Sequence, residues 1–202
     1  EFMEFLTAQQ IAAAAAALGL SAVGLIHDVA LYRIGYQTVD AFGNLTPASG
    51  VIGVPLGIQR GAPILSYQHG TITSRAEAPS ADPSATRTED ILYLQGASGY
   101  LVLAPDYLGF GDSAGLHPYV HAKTLAWAVI DLIRAVRSLA DAVDYPLNGQ
   151  LFLTGYSEGG YATMAAQREI ETHHSNEFTI TASAPMAGPY DLSGTMLDVA
   201  LT

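Results

Sequence analysis

Leu151-Phe152-Leu153-Thr154-Gly155-Tyr156-Ser157-Glu158-Gly159-Gly160 is the stretch that decides the fold. Its first four residues are typical of a strand buried on both faces, and a helical pattern runs from Ser157 to about residue 171. Gly-x-Ser-x-Gly between a strand and a helix is the nucleophile-elbow pattern, in which glycines permit a strained turn that exposes the serine. We therefore predict that Ser157 is a catalytic nucleophile. The alternative is an ordinary glycine-rich turn with Ser157 as a helix cap.

Strand and helix patterns extend on both sides of this stretch. Six strands are predicted, at residues 31–39, 50–54, 64–67, 100–104, 150–154 and 178–184. Helical patterns begin after Thr7 and near Ile91, and the clearest helix spans residues 125–143. The alternation in the second half predicts parallel strands joined by right-handed crossovers. Because His69, Asp106 and Ser157 all follow strand ends, we expect them to face one cleft.

Composition restricts the possible partners. The 202 residues carry a net charge of −11, and half of them are hydrophobic. An acidic surface repels phosphate backbones, so we expect no nucleic-acid partner. The chain has no cysteine, which excludes disulfides and thiol chemistry. The alanine run at residues 12–17 has no basic segment before it and is too short to span a bilayer, so we predict a surface helix there.

The segment Gln68-His69-Gly70-Thr71 follows the third predicted strand. In hydrolases with a nucleophile elbow, the loop at this position supplies one oxyanion N–H group, and the residue after the nucleophile supplies the other. This predicts an oxyanion hole formed by the backbone N–H groups of Thr71 and Glu158. Gly70 lets the loop approach the substrate closely. The side chain of His69 is predicted to support the loop, because a catalytic histidine follows the serine in this arrangement.

A third motif makes the pattern more specific. Pro105-Asp106-Tyr107-Leu108-Gly109-Phe110-Gly111, together with His-Gly-Thr before it and Gly-Tyr-Ser-x-Gly-Gly after it, resembles the α/β-hydrolases of the secretory-lipase type and related bacterial serine esterases. The resemblance covers roughly residues 29–192. It implies an α/β-hydrolase fold, a mostly parallel twisted sheet flanked by helices. It also implies a serine carboxylic-ester hydrolase that acts on a small ester, with no cofactor and no metal.

The acid and the histidine of a catalytic triad have no clear counterpart after Ser157. His173 and His174 lie at the far end of the predicted helix, about 22 Å from the serine. Asp191 follows the sixth strand, where a turn or capping role is favoured over that of the catalytic acid. Asp106 and Asp112 precede the serine, against the order serine, acid, histidine, so we interpret them as residues that fix loops.

We therefore expect residues 1–28 to form an N-terminal helical segment. Residues 29–202 would form the N-terminal part of a hydrolase domain whose C-terminal strands are missing from this chain. The expected partner is the C-terminal remainder of the same protein, as a second polypeptide that carries the acid and the histidine. We also expect export, with no signal peptide in this chain. Alternative functions are a serine peptidase, another acyl hydrolase, or an inactive scaffold used for binding.

Overall fold

A computed structural model describes residues 1–201. The strands and helices in chain order are β1 (Phe2–Leu6), α1 (Ala8–Ala17), β2 (Val29–Val39), β3 (Leu45–Pro55), β4 (Ala62–Gln68), α2 (Thr88–Ala97), β5 (Leu101–Pro105), α3 (Ala122–Ala142), β6 (Leu147–Tyr156), α4 (Glu158–His173), β7 (Ala182–Met186) and α5 (Thr195–Leu201). A short 3₁₀ turn, Arg75–Glu77, lies between β4 and α2. From β4 to α5 strands and helices alternate, as the sequence predicts.

All the strands between residues 1 and 201 belong to one sheet, in the order β1-β2-β3-β5-β4-β6-β7. β1 with β2, β2 with β3, and β3 with β5 pair antiparallel. β4 with β5, β4 with β6, and β6 with β7 pair parallel. Five strands, β2 and β4 to β7, therefore run in one direction. The prediction of a mostly parallel sheet is confirmed.

Helices cover both faces of the sheet, because the central strands are apolar on both sides. In β5, Leu101 and Leu103 pack with α3 and α4, whereas Val102 and Ala104 pack with α1 and α2. Successive side chains of a strand point to opposite faces, so one short apolar run serves two cores. The sequence predicts this burial correctly for β5, whereas in β6 Leu151 and Leu153 are buried but Phe152 and Thr154 are only partly buried. The result is a rigid sheet whose loops are held at its edge.

The N-terminal segment is more than a helix. The predicted helix is present as α1, and the side chain of Thr7 caps it by accepting a hydrogen bond from the Gln10 N–H. Residues 2–6, however, form the unpredicted strand β1, which pairs with β2 and extends the sheet. No helix within residues 1–201 combines the length and the apolar character required to cross a membrane. Residues 1–28 thus contribute to the main sheet as well as forming a helix.

The last strand lies further along the chain than predicted. The apolar run 178–184 predicts a strand, but β7 is Ala182–Met186. Phe178 is only 3% exposed and packs in the main core, with the Arg137 guanidinium 4.6 Å from its ring centroid. Its N–H donates to the carbonyl of His174, so it continues the end of α4. Phe178 therefore packs in the connection between α4 and β7. Local hydrophobicity alone does not distinguish a buried residue of a connection from a residue of a strand. β3 also begins at Leu45, five residues earlier than predicted.

Candidate active site

The turn between β6 and α4 holds Ser157 in a strained conformation. Its φ is 59° and its ψ is −122°, a region that side-chain-bearing residues rarely adopt. A Cβ on Gly155 would collide with the carbonyl oxygen of Gly159, one on Gly159 with that of Gln68, and one on Gly160 with that of Met186. Only glycine fits at these three positions. The strand, the tight turn and the helix that the elbow pattern requires are therefore all present.

The backbone of Ser157 is fixed, while its hydroxyl is available. Its N–H donates to the carbonyl of Met186 at 3.0 Å, and its carbonyl accepts from the Tyr161 N–H at 3.1 Å. The residue is partly exposed. Among residues 1–201, no group forms a hydrogen bond with the Ser157 hydroxyl. The turn therefore presents Oγ to a partner that residues 1–201 do not provide.

Three loops meet at this edge of the sheet. The loops after β4, β5 and β6 begin with His69, Asp106 and Ser157, and these three parallel strands are neighbours in the order β5-β4-β6. A Cβ placed on Gly70 would lie 3.8 Å from the Cβ of Ser157. The predicted oxyanion loop thus lies directly against the serine.

His69 is a buried support of this loop. Its Nδ1 lies 2.7 Å from the carbonyl oxygen of Gly70, its Nε2 lies 3.4 Å from that of Asp106, and its ring stacks on Tyr107 at 4.2 Å. The Tyr107 hydroxyl donates to the His69 carbonyl at 3.1 Å. Burial lowers the pKa of the His69 imidazole, so the ring is neutral at pH 7. These contacts match a loop-supporting role, and both ring nitrogens face backbone carbonyls.

The two predicted oxyanion donors belong to the two segments that meet at the serine. Thr71 directly follows Gly70, and its hydroxyl is 3.3 Å from that of Tyr119. Glu158 is the first residue of α4, so its N–H is one of the free donors at a helix N-terminus. Gly70 and the strained turn bring both segments to the same place. The oxyanion role of the two N–H groups remains a prediction.

The sequence analysis missed His117, which forms an ion-pair contact with Glu158. Its Nε2 lies 2.7 Å from Glu158 Oε1, and its Nδ1 lies 2.7 Å from the carbonyl oxygen of Leu108. The two side chains are 10% and 1% exposed. The pair spans 41 positions in the sequence, and no local motif marks it. Because both nitrogens are engaged, His117 is not available as a base for Ser157.

The two aspartates that precede the serine fix loops, as the sequence analysis interprets them. The buried Asp106 carboxylate accepts hydrogen bonds from the hydroxyls of Ser49 and Ser80, both at 2.5 Å, and from the Ser80 N–H at 2.8 Å. Asp112 pairs with Arg33 near the surface. Asp106 thus connects β3, the loop before α2 and the loop after β5.

Replacing Asp106 with alanine should lower the free energy of unfolding of the full-length protein by about 3 kcal/mol or more. The change leaves buried hydroxyl and N–H donors of Ser49 and Ser80 without their charged acceptor. Urea denaturation measures the loss. Asp112→Ala is the matched control and should cost less than about 1 kcal/mol, because that pair is partly exposed. Equal losses for the two variants would contradict this role of Asp106.

None of the six histidines is positioned to deprotonate Ser157. His27 contacts the Leu56 carbonyl, His121 caps α3, and His174 lies between Glu169 and Glu177. His173 ends α4, fifteen residues beyond its first residue, and is therefore about 22 Å away. His69 and His117 are engaged as described above. The sequence prediction that His173 and His174 are not catalytic agrees with this placement.

Asp191 caps a helix. Its carboxylate accepts hydrogen bonds from the N–H groups of Thr195 at 2.9 Å and Gly194 at 3.1 Å, in the turn that leads into α5. The bonds from the Thr195 backbone and hydroxyl lower the pKa of this exposed carboxyl. The capping role that the sequence favours over that of the catalytic acid matches these contacts.

A cleft of about 630 Å³ lies beside the oxyanion loop. Its lining includes Thr71, Ile72, Phe110, Leu116 and Tyr119, together with the basic residues Arg75 and His117. It therefore has apolar walls with a few hydroxyl and basic groups, as clefts that bind small organic molecules do.

Comparison with known proteins identifies the family. A family model described as secretory lipase matches residues 77–196, more than half of the chain and including the turn at Ser157. The chain belongs to the secretory lipase family. No curated protein matches the sequence.

Solved structures share the architecture of this secretory-lipase chain. The rice cell wall degrading esterase LipA from Xanthomonas oryzae is 37% identical, with a TM-score of 0.87 over 98% of this chain and 51% of that one. A Legionella pneumophila protein is 34% identical, with a TM-score of 0.87 over 99% of this chain and 55% of that one. Candida antarctica lipase A, at 22% identity, shares the fold with a TM-score of 0.64 over 91% of this chain and 41% of that one. The chain thus spans about half the length of the first two.

Proposed function

We propose that this chain carries the nucleophile of a serine carboxylic-ester hydrolase, and that the nucleophile is Ser157. The observation that carries the proposal is the strained turn at Ser157, with φ 59° and glycines where a Cβ would collide with backbone. A conformation of this kind is costly and persists where the surrounding structure imposes it. The partly exposed hydroxyl has no hydrogen bond within residues 1–201 and so is free to react.

The mechanism is acyl transfer in two steps. A histidine takes the proton of Ser157 as Oγ forms a bond to the ester carbonyl carbon, and the alcohol leaves with that proton. Water then hydrolyses the acyl-enzyme, and Oγ recovers its proton. The N–H groups of Thr71 and Glu158 stabilise the negative oxygen of each tetrahedral intermediate. One such donor typically contributes about 3 kcal/mol to transition-state stabilisation.

The catalytic acid and histidine are proposed to come from the C-terminal remainder of the same protein. The six histidines of this chain either have other contacts or lie far from Ser157, and Asp191 caps a helix. The remainder is proposed to pack beside β7 as a second polypeptide. Small esters are the proposed substrates, bound in the cleft beside Thr71. Membership of a secretory lipase family supports export.

A fluorophosphonate probe should label the full-length protein at Ser157 and at no other serine. The elbow exposes Oγ of Ser157, whereas Ser66 and Ser113 are buried. Peptide mapping by mass spectrometry locates the label. A label on Ser66 or Ser113 would refute the assignment. Peptide substrates assayed beside p-nitrophenyl esters distinguish a peptidase, and labelling without any turnover would indicate a scaffold used for binding.

A further inference from the structure

His117 lies between two acceptors. The carbonyl oxygen of Leu108 and the Oε1 atom of Glu158 lie 2.7 Å from its two ring nitrogens. A carbonyl oxygen only accepts hydrogen bonds, so Nδ1 must carry a proton. Neutral His117 opposite ionised Glu158 would then place two lone pairs against each other at 2.7 Å. A second proton must therefore lie between Nε2 and Oε1. With this proton and the one on Nδ1, the His117–Glu158 pair has no net charge.

The distance of 2.7 Å between Nε2 and Oε1 is typical of a hydrogen bond from a cationic N–H group to a carboxylate oxygen, so we interpret the pair as imidazolium and carboxylate. The second carboxylate oxygen, Oε2 of Glu158, is buried and has no hydrogen-bond partner within residues 1–201. His117 is thus the group that holds the Glu158 side chain and compensates its charge. Burying an unpaired carboxylate would be costly.

Aromatic rings contact His117, and Arg75, which lines the same cleft, donates hydrogen bonds to three backbone carbonyls of residues 111–115. Tyr107 stacks on His117 at 5.9 Å, Phe110 lies at 4.7 Å and Tyr119 at 6.2 Å. Burial raises the pKa of Tyr107 and lowers that of His69, so both groups facing Glu158 are neutral at pH 7. The Asp106 carboxylate, which faces His69, is saturated by serine hydrogen bonds. Among residues 1–201, the positive charges in contact with Glu158 are therefore the imidazolium and the N-terminus of α4.

We propose that His117 is a positioning residue for the oxyanion hole, because its imidazolium neutralises and orients Glu158, whose N–H is the predicted oxyanion donor. This inference rests on the proposed function. Negative charge develops on the substrate oxygen next to the Glu158 backbone, and a bare carboxylate on the same residue would oppose it in a poorly solvated site. With His117 protonated, the residue that donates to the oxyanion brings no net charge.

If His117 compensates the charge of Glu158, a second substitution that removes this charge should restore the activity lost in a His117 variant. A role of His117 in packing alone predicts no such recovery. In the full-length protein, His117→Gln should lower kcat for a p-nitrophenyl ester by about ten- to a hundredfold, with KM changing less than about threefold, a smaller loss than removal of a donor. Adding Glu158→Gln should recover most of the lost kcat, because no carboxylate is left uncompensated. His27→Gln, at a site on the Leu56 carbonyl, is the control for histidine removal and should keep wild-type kcat.

A double variant no more active than His117→Gln, or a His117→Gln enzyme with wild-type kcat, would overturn the proposal.

Two measurements on the unaltered protein keep the outcomes distinct. If the wild type neither hydrolyses esters nor is labelled at Ser157, the proposed function fails. If it does both and the rescue is absent, only the role of His117 fails. Should His117→Gln not fold, ¹⁵N NMR of labelled histidines decides. We expect one imidazole with both nitrogens protonated at neutral pH, and its loss in Glu158→Gln; the absence of such an imidazole would overturn the proposal.

Discussion

Replacing Ser157 with alanine in the full-length protein should abolish ester hydrolysis, lowering kcat by roughly 10⁴-fold or more. The hydroxyl oxygen is the atom that we propose bonds to the substrate, and the alanine methyl group cannot take its place. Within residues 1–201 the hydroxyl has no hydrogen bond, so its loss should barely change the free energy of unfolding. Initial rates with p-nitrophenyl esters and a thermal melt measure the two effects.

Ser98→Ala is the matched control for this experiment. Ser98 is exposed at the end of α2, where its hydroxyl donates to the carbonyl of Leu94. This variant should keep full activity. If Ser157→Ala retained more than a few per cent of the wild-type turnover while remaining folded, Ser157 would not be the nucleophile. A variant that loses activity only because it unfolds would be identified by the melt.

The sequence predicts those parts of the site whose structure depends on residues close together in the chain. The glycines around Ser157 are required because backbone passes within collision distance of each missing Cβ. That requirement produces a pattern of fixed spacing, and the flanking apolar strand and helix give it context. The loop after β4 is predictable for the same reason, since His69 and Gly70 directly follow an apolar run. The fold and the candidate nucleophile can therefore be predicted from short segments of the sequence.

What the sequence does not predict depends on contacts between distant segments. His117 meets Glu158 across 41 positions, in an irregular loop whose path no periodicity reveals. Phe178 has the local character of a strand residue, yet it packs against Arg137 in a connection. β1 is recognisable only by its pairing with β2, more than twenty residues later. Each of these features is decided by the tertiary structure, which overrides local preference.

The strand order explains why residues far apart in sequence form one site. β4, β5 and β6 lie side by side, and their loops contribute His69, Asp106 and Ser157. Asp106 accepts hydrogen bonds from Ser49 and Ser80, so the loop after β5 is tied to its neighbours. The neutral His69 then packs on this anchored loop through Tyr107. Support of this kind would keep the predicted oxyanion donors in place before the substrate arrives.

The second large effect concerns residues 1–202 in isolation. Expressed alone, they should hydrolyse p-nitrophenyl esters at no more than the background rate, because no histidine of residues 1–201 contacts Ser157. We also expect poor solubility. β7 is the last strand of the described sheet, and Met186 on it is 45% exposed, so the outer edge of β7 is free to pair with another strand. This edge strand is Ala182–Met186, not the predicted residues 178–184.

Adding the separately expressed C-terminal remainder should restore both ester hydrolysis and solubility. A strand placed beside β7 would remove the free edge, and a histidine from that polypeptide would come within hydrogen-bond reach of Ser157. Co-purification tests the association, and the recovery of ester hydrolysis and of fluorophosphonate labelling at Ser157 tests the completed site. As a control, the remainder should restore no activity to residues 1–202 carrying Ser157→Ala. A soluble, cooperatively melting monomer of residues 1–202 with full esterase activity would contradict the proposal, because the base would then have to lie within this chain.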